Sequence, residues 1–173
     1  VMGRLPTGFS NQAPLLSMMK NDPLLSQALL IAEPWDVGPG GYQLGRFESP
    51  WLEWNDKYRD DVRRYWQGQP NALGGLATRL AGSSDVFAHD GRTPKASVNF
   101  IAAHDGFCLW DVVSYSHKYN QNNGEQNRDG SNDNHSWSHG VEGELSEDAG
   151  PAAIQRLKDN RMRDIRALLT TLF

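Results

Sequence analysis

The pattern of apolar and polar positions divides the chain into short apolar runs, amphipathic stretches and long polar connections. Leu29 to Glu33 is an apolar run closed by a carboxylate, and Pro34 ends it because proline has no N–H for a sheet ladder. It reads as a short strand buried on both faces. Trp51 to Asn55 reads as a second strand. Asn55 or Asp56 then caps a helix to about Gln67, with Tyr58, Val62, Tyr65 and Trp66 on one face. Its alternating charges, Arg63 among them, are explained by a solvated face. Leu73, Leu76 and Leu80 mark a further helix that stops at Gly82. Val98 to Ala103 is the next buried strand and delivers His104-Asp105-Gly106 at its end. A helix-like stretch follows from Leu109 to Tyr119. The last helix begins at Pro151 and carries Ile154, Leu157, Met162, Ile165, Leu168, Leu169 and Leu172.

Between these elements the chain is punctuated rather than periodic. Val1 to Ser10, broken by Gly3, Pro6 and Gly8, reads as a loop, and Pro14 to Lys20 as a short helix. Val37 to Ser49 is too rich in glycine for a helix and is expected to hang from the strand end that carries Glu33. Residues 120–148 are almost all Asn, Gly, Asp, Ser, Glu and His, and a loop of that length is either functional or disordered. No repeat and no domain boundary is evident. Strand–helix units with polar residues at strand C-termini are the sequence pattern of a (β/α) barrel, whose catalytic groups sit at those strand ends. The expected class is α/β.

Composition narrows the partners. The 173 residues suffice for one domain with a sizeable core, and a net charge of −4 provides no basic patch for nucleic acid. No apolar run approaches a membrane span, and no signal peptide opens the chain. The single cysteine, Cys108, excludes an internal disulfide and reads as a buried bystander in a reducing compartment, the cytoplasm. Six tryptophans and five tyrosines provide flat faces of the kind that stack on sugars, although most aromatics in any protein are core. The start at Val1 and the uncapped apolar end at Phe173 read as a piece of a longer protein.

Glu33 and Asp105 are the candidate chemistry. A carboxyl at the end of a buried strand beside the indole of Trp35 suits a general acid with a raised pKa; the plain alternative is a surface carboxylate just past a strand. Two carboxylates on separate strands among aromatics suggest glycoside hydrolysis. His104-Asp105 as part of a Ser-His-Asp system is disfavoured, because no Gly-x-Ser-x-Gly turn exists and neighbours on a strand face opposite ways. A calcium loop over 127–135 lacks the glycine and glutamate such a loop requires, and no metal or cofactor is expected. His89, His117, His135 and His139 are expected on solvated surfaces.

Four motifs carry a resemblance. Leu-Ile-Ala-Glu-Pro-Trp-Asp (30–36), Glu-Trp-Asn-Asp (53–56), Asn-Phe-Ile-Ala-Ala-His-Asp-Gly (99–106) and Asn-Asn-Gly-Glu-Gln-Asn-Arg-Asp-Gly (122–130) resemble the isoamylase-type branch of the α-amylase clan, the glycogen debranching type within it. The resemblance implies the second half of a (β/α)8 barrel whose parent hydrolyses α-1,6 branch linkages of glycogen and limit dextrins with retention. It implies Glu33 as general acid/base, Asp105 as transition-state stabiliser, His104 on sugar hydroxyls and Trp35 shaping the pocket. The clan's nucleophilic Asp has no match behind Arg4, so the chain alone is expected to be inactive. The alternatives are a non-catalytic structural or carbohydrate-binding fragment, or an isoamylase acting on starch-type glucans.

Overall fold

A computed structural model describes residues 2–173. The architecture is mixed helix and sheet. The described residues form two compact units, one of residues 2–56 and 78–99, the other of residues 57–77 and 100–173. No boundary was expected from the sequence; none of the crossings falls in a linker of distinctive composition.

The first unit begins with a small antiparallel hairpin where a loop was expected. Strands β1 (Arg4–Leu5) and β2 (Gly8–Phe9) pair Arg4 with Phe9. Helix α1 (Pro14–Asn21) follows with proline in its first turn, where the missing N–H costs no hydrogen bond. The central sheet is parallel, in the order β3 (Ile31–Ala32), β4 (Leu52–Asn55), β5 (Ser97–Asn99), with Ala32 opposite Glu53 and Glu53 opposite Ser97. Leu16, Leu30, Ala32, Phe47 and Trp51 form one core cluster, and Val86, Phe87 and Ala96 another beside the short helix α4 (Ser84–Phe87).

The expected burial of β3 on both faces is not observed. Leu30 and Ala32 point inward, whereas Leu29 and Ile31 are 72% and 45% exposed. A two-residue strand at the sheet edge covers one face only, and the alternation is that of ordinary pleating. The second unexpected feature is β5, which is shorter than the apolar run suggested; Phe100 and Ile101 are buried beyond its end without ladder pairing.

The second unit is built on helices. Helix α2 runs Asp56–Trp66 and α3 runs Ala72–Leu80, the latter continuing into the first unit. Helix α5 is only Leu109–Val112, much shorter than the expected Leu109–Tyr119, and α6 spans Pro151–Leu172. Tyr58, Val62, Leu76, Ile101, Val112, Val113, Ile165 and Leu168 make its core. The apolar periodicity of α2 and α6 finds Tyr58, Val62, Ile165 and Leu168 in the core, whereas Trp66, Met162 and Leu169, expected on the same faces, are exposed. Their polar residues behave differently: Arg63 and Arg161 are buried at 2% and 0% exposure, against the solvated face expected for the α2 charges.

Candidate functional site

Glu33 follows β3 directly and is exposed, with Pro34 buried behind it and Trp35 half-buried. The desolvated setting suggested by the sequence is not what surrounds this carboxyl, because the inward positions are Ala32 and Pro34 on either side of it. The loop leaving Glu33 is closely tied. Gln43 N–H donates to Pro34 O at 2.7 Å, and Tyr42 Oη donates to Asp56 at 2.8 Å. The anchor is Glu53 on β4, wholly buried, whose Oε2 accepts from Gly45 N–H at 2.6 Å and whose Oε1 meets Arg92 at 2.5 Å. Gly45 has φ +83°, and a Cβ there would stand 2.7 Å from Val86 O, so only glycine suits this contact. Burial pushes the Glu53 carboxyl up from its ordinary value, while the Arg92 guanidinium and the Gly45 amide pull it back.

His104 and Asp105 lie in the second unit. They sit in a turn rather than on a strand, and this lets adjacent side chains meet: His104 Nε2 is 3.1 Å from Asp105 Oδ1, which strict strand alternation would forbid. Both are exposed. The structure thus pairs His104 with Asp105, while Glu33 and Trp35 belong to the other unit.

The backbone around this turn is held by groups that the sequence did not single out. Arg63 of α2 donates Nε and Nη2 to Ile101 O, at 2.9 and 2.5 Å, and Nη1 to Asn134 O at 2.8 Å. Burial, then the Arg59 charge, brings the Arg63 guanidinium down to about 10, with Asp60 opposing. Asn134 Oδ1 accepts from Phe107 N–H at 3.3 Å.

Residues 120–148 carry almost no regular structure, yet they are ordered around buried polar groups. Lys118 Nζ donates to Asp129 O at 2.8 Å and Gly130 O at 3.3 Å, so a largely buried ammonium is satisfied by main-chain carbonyls of the loop. His135 is buried, with Nδ1 3.0 Å from Asp133 and Nε2 4.0 Å from Asp60; His139 Nε2 is 3.2 Å from Asp164. Neither is the solvated histidine expected. Burial lowers the pKa of both, the aspartates opposing. Cys108 also departs from expectation, being exposed rather than buried. No pattern in the sequence marks Arg63 or Lys118; their partners are decided by tertiary contact.

These features define a mixed α/β segment with a carboxylate placed directly after a parallel strand and a His-Asp pair in a turn further along the chain. No family model matches the chain. Curated proteins do match it. It is 52% identical over 172 residues to the glycogen debranching enzyme of Enterobacter sp. (strain 638), and 54% identical over 172 residues to that of Serratia proteamaculans (strain 568). Each match covers 99% of this chain and 25% of the relative. The Glycogen operon protein GlgX homolog of Mycobacterium bovis is 53% identical over 152 residues, 88% of this chain and 20% of its own length. The resemblance to glycogen debranching enzymes thus holds across essentially the whole sequence, and the chain spans about a quarter of the length of the curated relatives it matches. Among the described residues no helix is long and apolar enough to cross a membrane.

Proposed function

We propose that this chain is a segment of a cytoplasmic glycoside hydrolase that cleaves α-1,6 branch linkages of glycogen and limit dextrins with retention, and that it contributes the second half of a (β/α)8 barrel. The observation that carries the reading is the identity of 52–54% to glycogen debranching enzymes along 99% of the chain. The parallel order β3-β4-β5 supports the barrel, since consecutive parallel strands are its building unit. In this reading Glu33 gives a proton to the leaving glycosidic oxygen and later takes one from water. Asp105 stays ionised and holds the sugar as it distorts towards the oxocarbenium-like state, and His104 binds sugar hydroxyls. Trp35, half-buried beside Glu33, shapes the pocket wall. The nucleophilic carboxylate of a retaining enzyme has no counterpart among the residues matched here, so the chain alone does not turn over substrate.

The test is made in the debranching enzyme that carries this segment. Glu33→Gln abolishes hydrolysis of branched dextrin but spares the first step with a glucosyl fluoride, whose leaving group needs no proton. Asp105→Asn slows both substrates alike. Equal loss of both activities in Glu33→Gln would remove Glu33 as the acid. Turnover of branched dextrin by the 173-residue chain, its mass verified, would overturn the requirement for an outside nucleophile.

A further inference from the structure

We infer that Arg63 and Asn134 form one buried brace that fixes the backbone of residues 101–107 and so act as positioning residues for Asp105. The inference rests on the proposed role of Asp105 in glycoside cleavage. The two exposed side chains at the centre of this stretch, His104 and Asp105, stand in a turn with no ladder or helix to hold them. Gly106 N–H to Ala103 O, at 3.5 Å, closes the turn itself, and buried side chains engage both of its ends. On one side the Arg63 fork closes on Ile101 O with two N–H groups. On the other the Asn134 carboxamide oxygen accepts from Phe107 N–H.

The two ends are joined to each other, because the third arm of Arg63 takes Asn134 O at 2.8 Å. Asn134 is itself fixed by Nδ2 donating to Ser131 O at 3.0 Å. Both residues are buried, at 2% and 9% exposure, so water does not compete for these groups. The fit between the brace and the turn is close: a Cβ added at Gly106 would stand 2.8 Å from Asn134 Oδ1. A guanidinium is required here. Lysine carries three donors on one atom and cannot address two carbonyls from separate arms in fixed geometry.

The brace is tested in the debranching enzyme that carries this segment, with Arg63→Lys and Asn134→Ala as independent variants in case one fails to fold. Each is expected to lower kcat on branched dextrin by about ten- to a hundredfold, the scale of a small misplacement of a catalytic group, with KM nearly unchanged. Amides of residues 101–107 should exchange about tenfold faster or more, while those of α6 keep their protection. Arg63→Lys added to Asp105→Asn should slow the enzyme no further, within about twofold, because the brace acts through Asp105. Additive losses in that double variant, or a normal kcat in both single variants while Asp105→Asn is inactive, overturn the brace and leave the role of Asp105 standing. Full activity in Asp105→Asn overturns the role of Asp105 and, with it, the brace.

Discussion

The two units bury their charges in different ways. In the first, a carboxylate meets a guanidinium: Glu53 and Arg92, at 0% and 5% side-chain exposure, pair at 2.5 Å, and Glu53 also tethers the loop that follows Glu33. In the second, Arg63 and Arg161 direct their hydrogen bonds to main-chain carbonyls, at Ile101 and Asn134 for one and at Val141 and Gly143 for the other. A charge pair is lost as a unit if either member goes, since the survivor is a buried unpaired charge. A guanidinium on carbonyls leaves only neutral acceptors behind, so its loss costs less and acts locally. The first arrangement ties Gly45 of the loop after Glu33 to an ionic contact, beside the bonds of Gln43 to Pro34 and of Tyr42 to Asp56. The second spreads the support of a strandless region over several carbonyls.

That contrast sets the largest expected effect. Arg92→Met strands the Glu53 carboxylate and should cost about 3–5 kcal/mol of folding free energy, read by urea unfolding of the chain. Adding Glu53→Gln should recover most of it, because Gln keeps an acceptor for Gly45 N–H without the charge. A loss below about 1 kcal/mol in Arg92→Met would mean the pair behaves as an exposed one and would break the comparison. Arg161→Met comes next. It frees Val141 O and Gly143 O, bound at 2.8 and 2.6 Å, and should cost about 1–3 kcal/mol, the scale of hydrogen bonds to a charged group. Faster amide exchange should be confined to residues 136–143; an effect spread evenly over the second unit would contradict the local reading.

How far the sequence revealed these arrangements follows from the range of the contacts involved. Helices α2 and α6 were legible because a 3.6-residue apolar period is written locally, and Tyr58, Val62, Ile165 and Leu168 are core as that period implies. The run around Ile31 was legible as a strand but not as a one-sided one, since consecutive apolar residues do not say which face finds a cover. Glu33, His104 and Asp105 were legible as candidates because strand ends and a family motif coincide on them. Their supports were not. Arg63 reaches a carbonyl 38 residues away and Arg161 one 20 residues away, and a charged residue on an amphipathic helix carries no local mark of burial. In the polar loop over 120–148 the burial of His135, and the bonds of Lys118 to the loop's carbonyls, went unmarked for the same reason: the partners of these polar residues are set by the fold.

The smallest expected effect sharpens the same contrast through pH. Burial holds His135 and His139 below the ordinary histidine value, with Asp60 and Asp133 facing the first and Asp164 facing the second, while Arg63, Arg64, Arg161 and Arg163 push in the direction of burial. The folded chain therefore binds fewer protons at these sites than the unfolded chain, whose histidines titrate near 6.5. Their contribution to stability is complete above about 6.5 and is lost as pH falls through the folded values, at no more than about 1.4 kcal/mol per pH unit for each group. Glu53 carries the opposite sign: its raised pKa favours the fold below the unfolded carboxyl value, and that gain is lost as pH rises through the folded one. The difference between the parent chain and His135→Gln/His139→Gln isolates the histidines. Urea midpoints measured from pH 8 to pH 5 should decline in the parent and flatten in the double variant. Parallel curves would mean that both histidines take up their protons in the fold as readily as in the unfolded chain, and that burial in the polar loop leaves their titration unaltered.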